Sequence, residues 1–307
     1  MPDQAAQLRK LVRASVLADP TLAPGGPIVA LTGGRAEVGT TTVACQLARE
    51  LARLGKQVIL IDANVIRPGV APQFNVHADE SIDAILRGAR RAVEVLIEVE
   101  NGVRILPGLP PGELAPPLDR QAVDHFSSEL LALSQQADAI LIDAGSGMNP
   151  WVDRLWQLSR QVLLVSTPAQ NSFLDGYAAV NLSQHHRHDN KIRLLVNRTV
   201  DDDELPPLAA RFEDTCAKFL RITPKPAAGL PEFIRTKQAA TGEENLPPSP
   251  LRLPPSQTDE PFRRATRLLA ADLAADFRVA ALRLVKPKQL AASSIRYPDQ
   301  TDLSQRR

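Results

Sequence analysis

Short, unbroken apolar runs recur along the first two thirds of the chain, each closed by a polar or glycine stop. They lie at residues 28–31, 57–62, 103–106, 139–143, 161–167 and 191–197. Runs of this length without alternation read as strands covered on both faces. Between them the period changes to that of a helix. Val43, Leu47, Leu51 and Leu54 share one face over residues 41–54, and Gly55 is a fitting stop. Further helices are expected over 81–88, 119–136 and about 174–186. Strands alternating with helices predict an α/β fold with a doubly wound, mostly parallel sheet.

In such a sheet, ligands gather at the carboxyl ends of the strands. Those ends carry Gly33 and Gly34, Asp62, Asp143, Thr167 and Asn197. The first is the most informative. The run at 28–31 enters a glycine loop that opens a helix at three threonines, the layout of a phosphate-binding loop. The spacing Gly34-x-x-x-x-Gly39-Thr40-Thr41 fits G-x-x-x-x-G-K-[ST] except at the lysine, which Thr40 replaces.

The ends of the chain are patterned differently. Leu8, Leu11, Val12 and Val16, interleaved with Arg9, Lys10 and Arg13, predict a short N-terminal helix, followed by a linker to residue 26. A core domain is expected over 27–242, a proline-rich linker over 243–260, an amphipathic helix over 261–288 and a disordered tail over 289–307. The helical stripe is Phe262, Ala265, Leu269, Leu273, Phe277, Ala280 and Leu284, flanked by arginines. It suits packing back onto the domain, with the arginines solvated. Residues 262–286 also suit an anionic membrane surface.

Composition narrows this picture. The 307 residues carry a net charge of +1, so bulk charge does not point to nucleic acid. The two cysteines, Cys45 and Cys216, match no metal spacing, and no apolar run has the length of a membrane span. A cytoplasmic protein is expected, with peripheral membrane contact as the alternative to a wholly soluble one. His185, His186 and His188 beside Asp189 read as a solvated helix end rather than a metal site.

These motifs resemble the ParA/MinD group of deviant Walker-A ATPases, a branch of the P-loop NTPase (SIMIBI-type) fold. The likeness runs from about residue 27 to 242. The group's K-G-G-x-G-K-[ST]-T loop corresponds to residues 35–42, RAEVGTTT. The segments 57–64 and 137–148 are similar to its first and second switches, and 162–180 and 194–198 to its later strands. The opening DQAAQLR resembles the leader of the FlhG (FleN, YlxH) branch, which controls flagellar number and placement. The Gly-Thr-Thr loop is similar to CpaE/TadZ pilus-localisation proteins, and residues 62–74 to bacterial tyrosine kinases. Only Tyr177 and Tyr297 are present, which argues against that kinase activity.

The resemblance implies ATP or ADP with Mg²⁺ as cofactor. Gly34, Arg35, Val38, Gly39, Thr40, Thr41 and Thr42 would line the phosphates, and Asn197 the adenine. Thr41 and Asp143 would serve the metal, and Asp62 and Asn64 the catalytic switch. Arg35 stands at the signature lysine that reaches across a nucleotide-dependent homodimer. An FlhF-like GTPase is the partner implied for the leader, through Asp3, Gln4, Leu8 and Arg9.

The departures weaken this chemistry. Thr40 removes a phosphate-binding cation, worth about 1.5–3 kcal/mol as a charge-assisted hydrogen bond. Glu37 puts a carboxylate in place of a loop glycine. The two together predict a loss of about 4 kcal/mol, roughly a thousandfold in affinity. Asn64 stands where the group has a second switch aspartate, and an amide cannot take up a proton from water. Weak or absent hydrolysis is expected, and with it a regulatory ATPase or pseudo-ATPase.

Overall fold

A computed structural model describes residues 25–183, 192–200, 202–232 and 260–292; the side chains of 202, 226 and 278–292 lie outside that description. The leader, most of the proline-rich linker, the histidine cluster and the tail beyond residue 292 fall outside it too.

Eight strands form one sheet in the order β3-β4-β2-β5-β1-β6-β7-β8. In chain order they are β1 (Ile28–Gly33), β2 (Val58–Asp62), β3 (Ile97–Glu100), β4 (Val103–Leu106), β5 (Ala139–Ser146), β6 (Gln161–Ser166), β7 (Ile192–Thr199) and β8 (Lys225–Pro231). All neighbours are parallel except β3 and β4. Six of the strands are those expected from the apolar runs. The two edge strands were not expected. β3 is only four residues, with Glu98 and Glu100 alternating outward, and β8 reads KPAAGLP with no β-branched side chain inside it.

Period-two alternation divides the core between the two faces of the sheet. Ile28 and Ala30 point to one face, Val29 and Leu31 to the other. The first face is covered by α3 (Ile82–Leu86), α4 (Ala92–Val95), α5 (Arg120–Ser134), α6 (Pro150–Leu158), α7 (Gln170–Ser183) and α8 (Leu205–Thr215). The second is covered by α1 (Thr40–Arg53), α2 (Val70–Gln73) and α9 (Glu260–Ala292). On α1, Val43, Leu47 and Leu51 are buried as the stripe requires, but Leu54 caps the helix and is exposed. A helix over 150–158 was not expected. Asn149 caps it by accepting from the Val152 N–H, with Pro150 in the first turn.

The C-terminal helix belongs to this core. Phe262, Leu269, Leu273 and Phe277 are buried with Val43, Leu47 and Leu51. Arg267 reaches Glu50 of α1, which is wholly buried and also held by Gln46 and Arg53. Over 262–277 the apolar stripe therefore packs back onto the domain, the first of the two readings of this helix. That stripe is already used, because the sheet needs a cover on this side and α1 alone does not span it. Residues 262–277 thus share one core with the domain expected over 27–242. No helix among the described residues is long and apolar enough to cross a membrane.

Candidate functional site

β1 is at the middle of the sheet, and its exit carries the glycine loop into α1. Gly34 packs closely on α7, where a Cβ would lie 2.4 Å from the Gly176 nitrogen. Gly39 caps α1 at φ 93°, the left-handed region that glycine enters freely. Val38 is buried, Arg35 is half-exposed and 3.8 Å from Asp175, and Thr42 lies in the first turn of α1. Thr40 is buried, with its hydroxyl beneath Gly33.

Glu37 has φ 67°, so a side chain occupies a backbone conformation that suits glycine. Its carboxylate turns outward and meets Arg67, Nη1 to Oε1 at 3.2 Å. This pairing reduces the repulsion expected of a carboxylate beside the phosphates.

Asp62, the last residue of β2, and Asp143, inside β5, are register partners on neighbouring strands and are both buried. Thr41 Oγ1 donates to Asp143 Oδ2 at 2.5 Å, and the Gly145 N–H donates to Asp143 Oδ1 at 3.0 Å. Asp62 Oδ2 accepts from the N–H groups of Gly69 and Val70, at 2.7 and 2.9 Å. Burial raises the pKa of Asp62 to about 7, with Asp143 adding to the rise and the backbone donors opposing it. Burial also raises that of Asp143, against the hydrogen bonds from Thr41 and Gly145. Two buried carboxylates that resist ionisation side by side fit a divalent cation, whose charge would offset both.

Asn64 does not face this pair with a free amide. Its Oδ1 accepts from the N–H groups of Ile66 and Arg67, at 3.3 and 3.0 Å, and its Nδ2 donates to the Arg67 carbonyl at 2.8 Å. The side chain is spent on its own turn. Asn197 is likewise tied down. Its Nδ2 donates to the Val38 carbonyl at 2.8 Å, while its buried Oδ1 has no hydrogen-bond partner. An unpartnered acceptor fits the amino group of an adenine.

The residues expected at the site are thus brought together, with Thr40 buried and Asn64 bonded within its own turn. Two further residues join them that sequence reasoning did not assign, Arg67 and Arg198. Arg198 Nη2 donates to the Glu37 carbonyl at 2.9 Å. Arg198 follows the expected Asn197 directly, which was the available signal.

A parallel sheet with a glycine loop at its central strand, a threonine hydroxyl on a buried aspartate and a second aspartate alongside defines a P-loop nucleotide-binding protein fold. A family model described as "Cellulose biosynthesis protein BcsQ" matches residues 27–206, and the chain belongs to that family, of the ParA/MinD type. The chain is 27% identical over 199 residues to the antiactivator FleN of Pseudomonas aeruginosa, covering 64% of this chain and 70% of FleN. It is 26% identical over 177 residues to the flagellum site-determining protein YlxH of Helicobacter pylori, covering 57% of this chain and 59% of YlxH. It shares its fold with the septum site-determining protein MinD of Pyrococcus horikoshii, solved with Mg-ADP. There the TM-score is 0.53 at 17% identity, covering 87% of this chain and 99% of that one.

Proposed function

We propose that this chain is a nucleotide-linked regulator that governs the number or placement of flagella, or of a related polar machine, by recruiting partners. The observation that carries this reading is the state of the loop. The phosphate cradle, Thr41, Asp143 and Asp62 persist, while Thr40 is buried and Asn64 is locked in its own turn. Such a site favours binding over turnover. When bound, the metal and nucleotide would supply the negative phosphates and the cation to which these residues respond. The chain's own part is to hold them. Loop N–H groups and the N-terminus of α1 face an anion, Thr41 and Asp143 offer oxygen to Mg²⁺, and Asn197 Oδ1 offers an acceptor. No side chain at position 64 is free to take a proton from water, so hydrolysis is slow.

YlxH, named as a flagellum site-determining protein, supports the flagellar reading, as does the leader. The FlhF-like GTPase, through Asp3, Gln4, Leu8 and Arg9, is the partner we expect, with nucleotide favouring a homodimer. The name of the matching family supports a second reading, a protein of cellulose biosynthesis. A DNA-partitioning role ranks below both.

Calorimetry with ATP and ADP in Mg²⁺, alongside phosphate release, tests the site. Binding in the high micromolar to millimolar range with no measurable turnover is expected. Micromolar binding with steady hydrolysis would overturn the regulatory reading in favour of an ordinary ATPase. Deleting residues 1–12 should abolish stimulation of the GTPase; unchanged stimulation sinks the partner assignment.

A further inference from the structure

The loop lacks its lysine, yet guanidinium groups surround it. Arg35 faces Asp175, and Arg67 faces the Glu37 carboxylate. Arg198 differs from both. Among the described residues it has no acidic side chain within ion-pair distance, and it is exposed. One of its N–H groups is pinned to the Glu37 carbonyl, which leaves the rest of its donor set for another acceptor. Its backbone sits at φ 64°, a left-handed conformation that a non-glycine residue adopts only at a cost. Immediately before it, Asn197 grips the next loop carbonyl, that of Val38. Two successive residues at the exit of β7 therefore hold two successive carbonyls of the loop, and the second carries an uncommitted charge.

Resting on the nucleotide-site reading above, we propose that Arg198 is the cation that meets the nucleotide's β- and γ-phosphates in place of the lysine lost at Thr40. The charge is delivered from β7 rather than from the start of α1. Arginine suits this relocation because its planar, forked donors can bond a carbonyl and a phosphate oxygen at once. Arg67 holds Glu37 turned away, which keeps the approach open.

The competing account is that Arg198 only braces the loop. Calorimetry on the full chain separates the two, with AMP, ADP and ATP in Mg²⁺, for wild type, Arg198→Ala, Arg198→Lys and the double variant Arg198→Ala with Thr40→Lys. Thermal unfolding verifies that each variant is folded. If Arg198 meets phosphate, Arg198→Ala weakens ATP and ADP by roughly 10–100-fold, as loss of one charge-assisted bond requires. AMP, which lacks the β- and γ-phosphates, keeps its affinity. Arg198→Lys retains most of the binding, and adding Thr40→Lys to the alanine variant restores it. If AMP weakens equally, or Thr40→Lys restores nothing, Arg198 is a brace and the proposal fails. Unchanged ATP affinity in Arg198→Ala also overturns it. A wild-type chain that binds no nucleotide even at millimolar concentration would instead remove the nucleotide reading, and this assignment with it.

Discussion

Thr41 Oγ1 stands 2.5 Å from Asp143 Oδ2, tying the first turn of α1 to β5 across 102 residues of sequence. Asp143 is wholly buried, and its other oxygen has only the Gly145 N–H. Replacing Thr41 by Val keeps the shape and removes the donor. The carboxylate is then left short of a partner, and a loss of about 1–3 kcal/mol is expected in urea unfolding. The same variant should lose the Mg²⁺ dependence of any nucleotide binding.

The pairing of Asp62 with Asp143 predicts an unusual pH dependence. Most native carboxylates are stabilised by their surroundings and lose stability as pH falls. Asp62 behaves in the opposite sense, since burial raises it to about 7 in the folded chain, against about 4 when unfolded. Between these values the native state holds a proton that the unfolded state has released. The contribution of Asp62 to stability is therefore greatest at and below about pH 4 and declines as pH rises towards 7. Asp143 is shifted in the same direction. Without divalent cation, Tm should fall from pH 5 to pH 7.5; Asp62→Asn should flatten that slope, and millimolar Mg²⁺ should do so in the wild type. A Tm that rises across this range would show that the pair is stabilised when ionised.

The legibility of this protein followed from where each element sits. Strands flanked on both sides by other strands read as unbroken apolar runs, because both their faces are covered. β3 and β8 have only one neighbour each, and their sequences, IEVE and KPAAGLP, carry weak strand signals. In the site, Thr41 and Asp143 were legible because they are motif positions. The contacts of Glu37 were not. Arg67 lies 30 residues away and Arg198 161 residues away, and the Arg198 contact joins two left-handed residues that no periodicity reveals. The stripe of α9 was legible, but whether it met protein or lipid depended on the uncovered face beside α1, which only the fold exposes.

That last point is testable on α9. Leu273 is fully buried against the α1 side of the sheet, whereas Leu268 is 66% exposed. Leu273→Ala should cost about 2–5 kcal/mol in chemical unfolding, as for other buried leucines. Leu268→Ala should leave stability within about 0.5 kcal/mol. If residues 262–277 formed a membrane face, Leu273→Ala would instead weaken flotation on anionic vesicles and leave stability unchanged.

Glu37 combines two departures that can be separated. Its φ of 67° disfavours any side chain, and its carboxylate brings charge to a phosphate-binding loop. Glu37→Gln removes the charge and keeps the strained backbone; Glu37→Gly removes both. The pair with Arg67 is exposed on both sides, so its loss should cost at most about 1 kcal/mol. Glycine relieves a backbone penalty of about 1–2 kcal/mol but adds freedom to the unfolded chain worth about 0.4–1 kcal/mol. Net stability should then fall by at most about 1 kcal/mol in Glu37→Gln and change by less than about 2 kcal/mol in Glu37→Gly. Nucleotide affinity is the sharper readout. If charge is what weakens the loop, Glu37→Gln and Glu37→Gly should both tighten ATP by roughly tenfold, with Arg67 released toward the phosphates. If backbone strain is what matters, only Glu37→Gly will. Equal affinities in wild type and both variants would place the whole defect at Thr40.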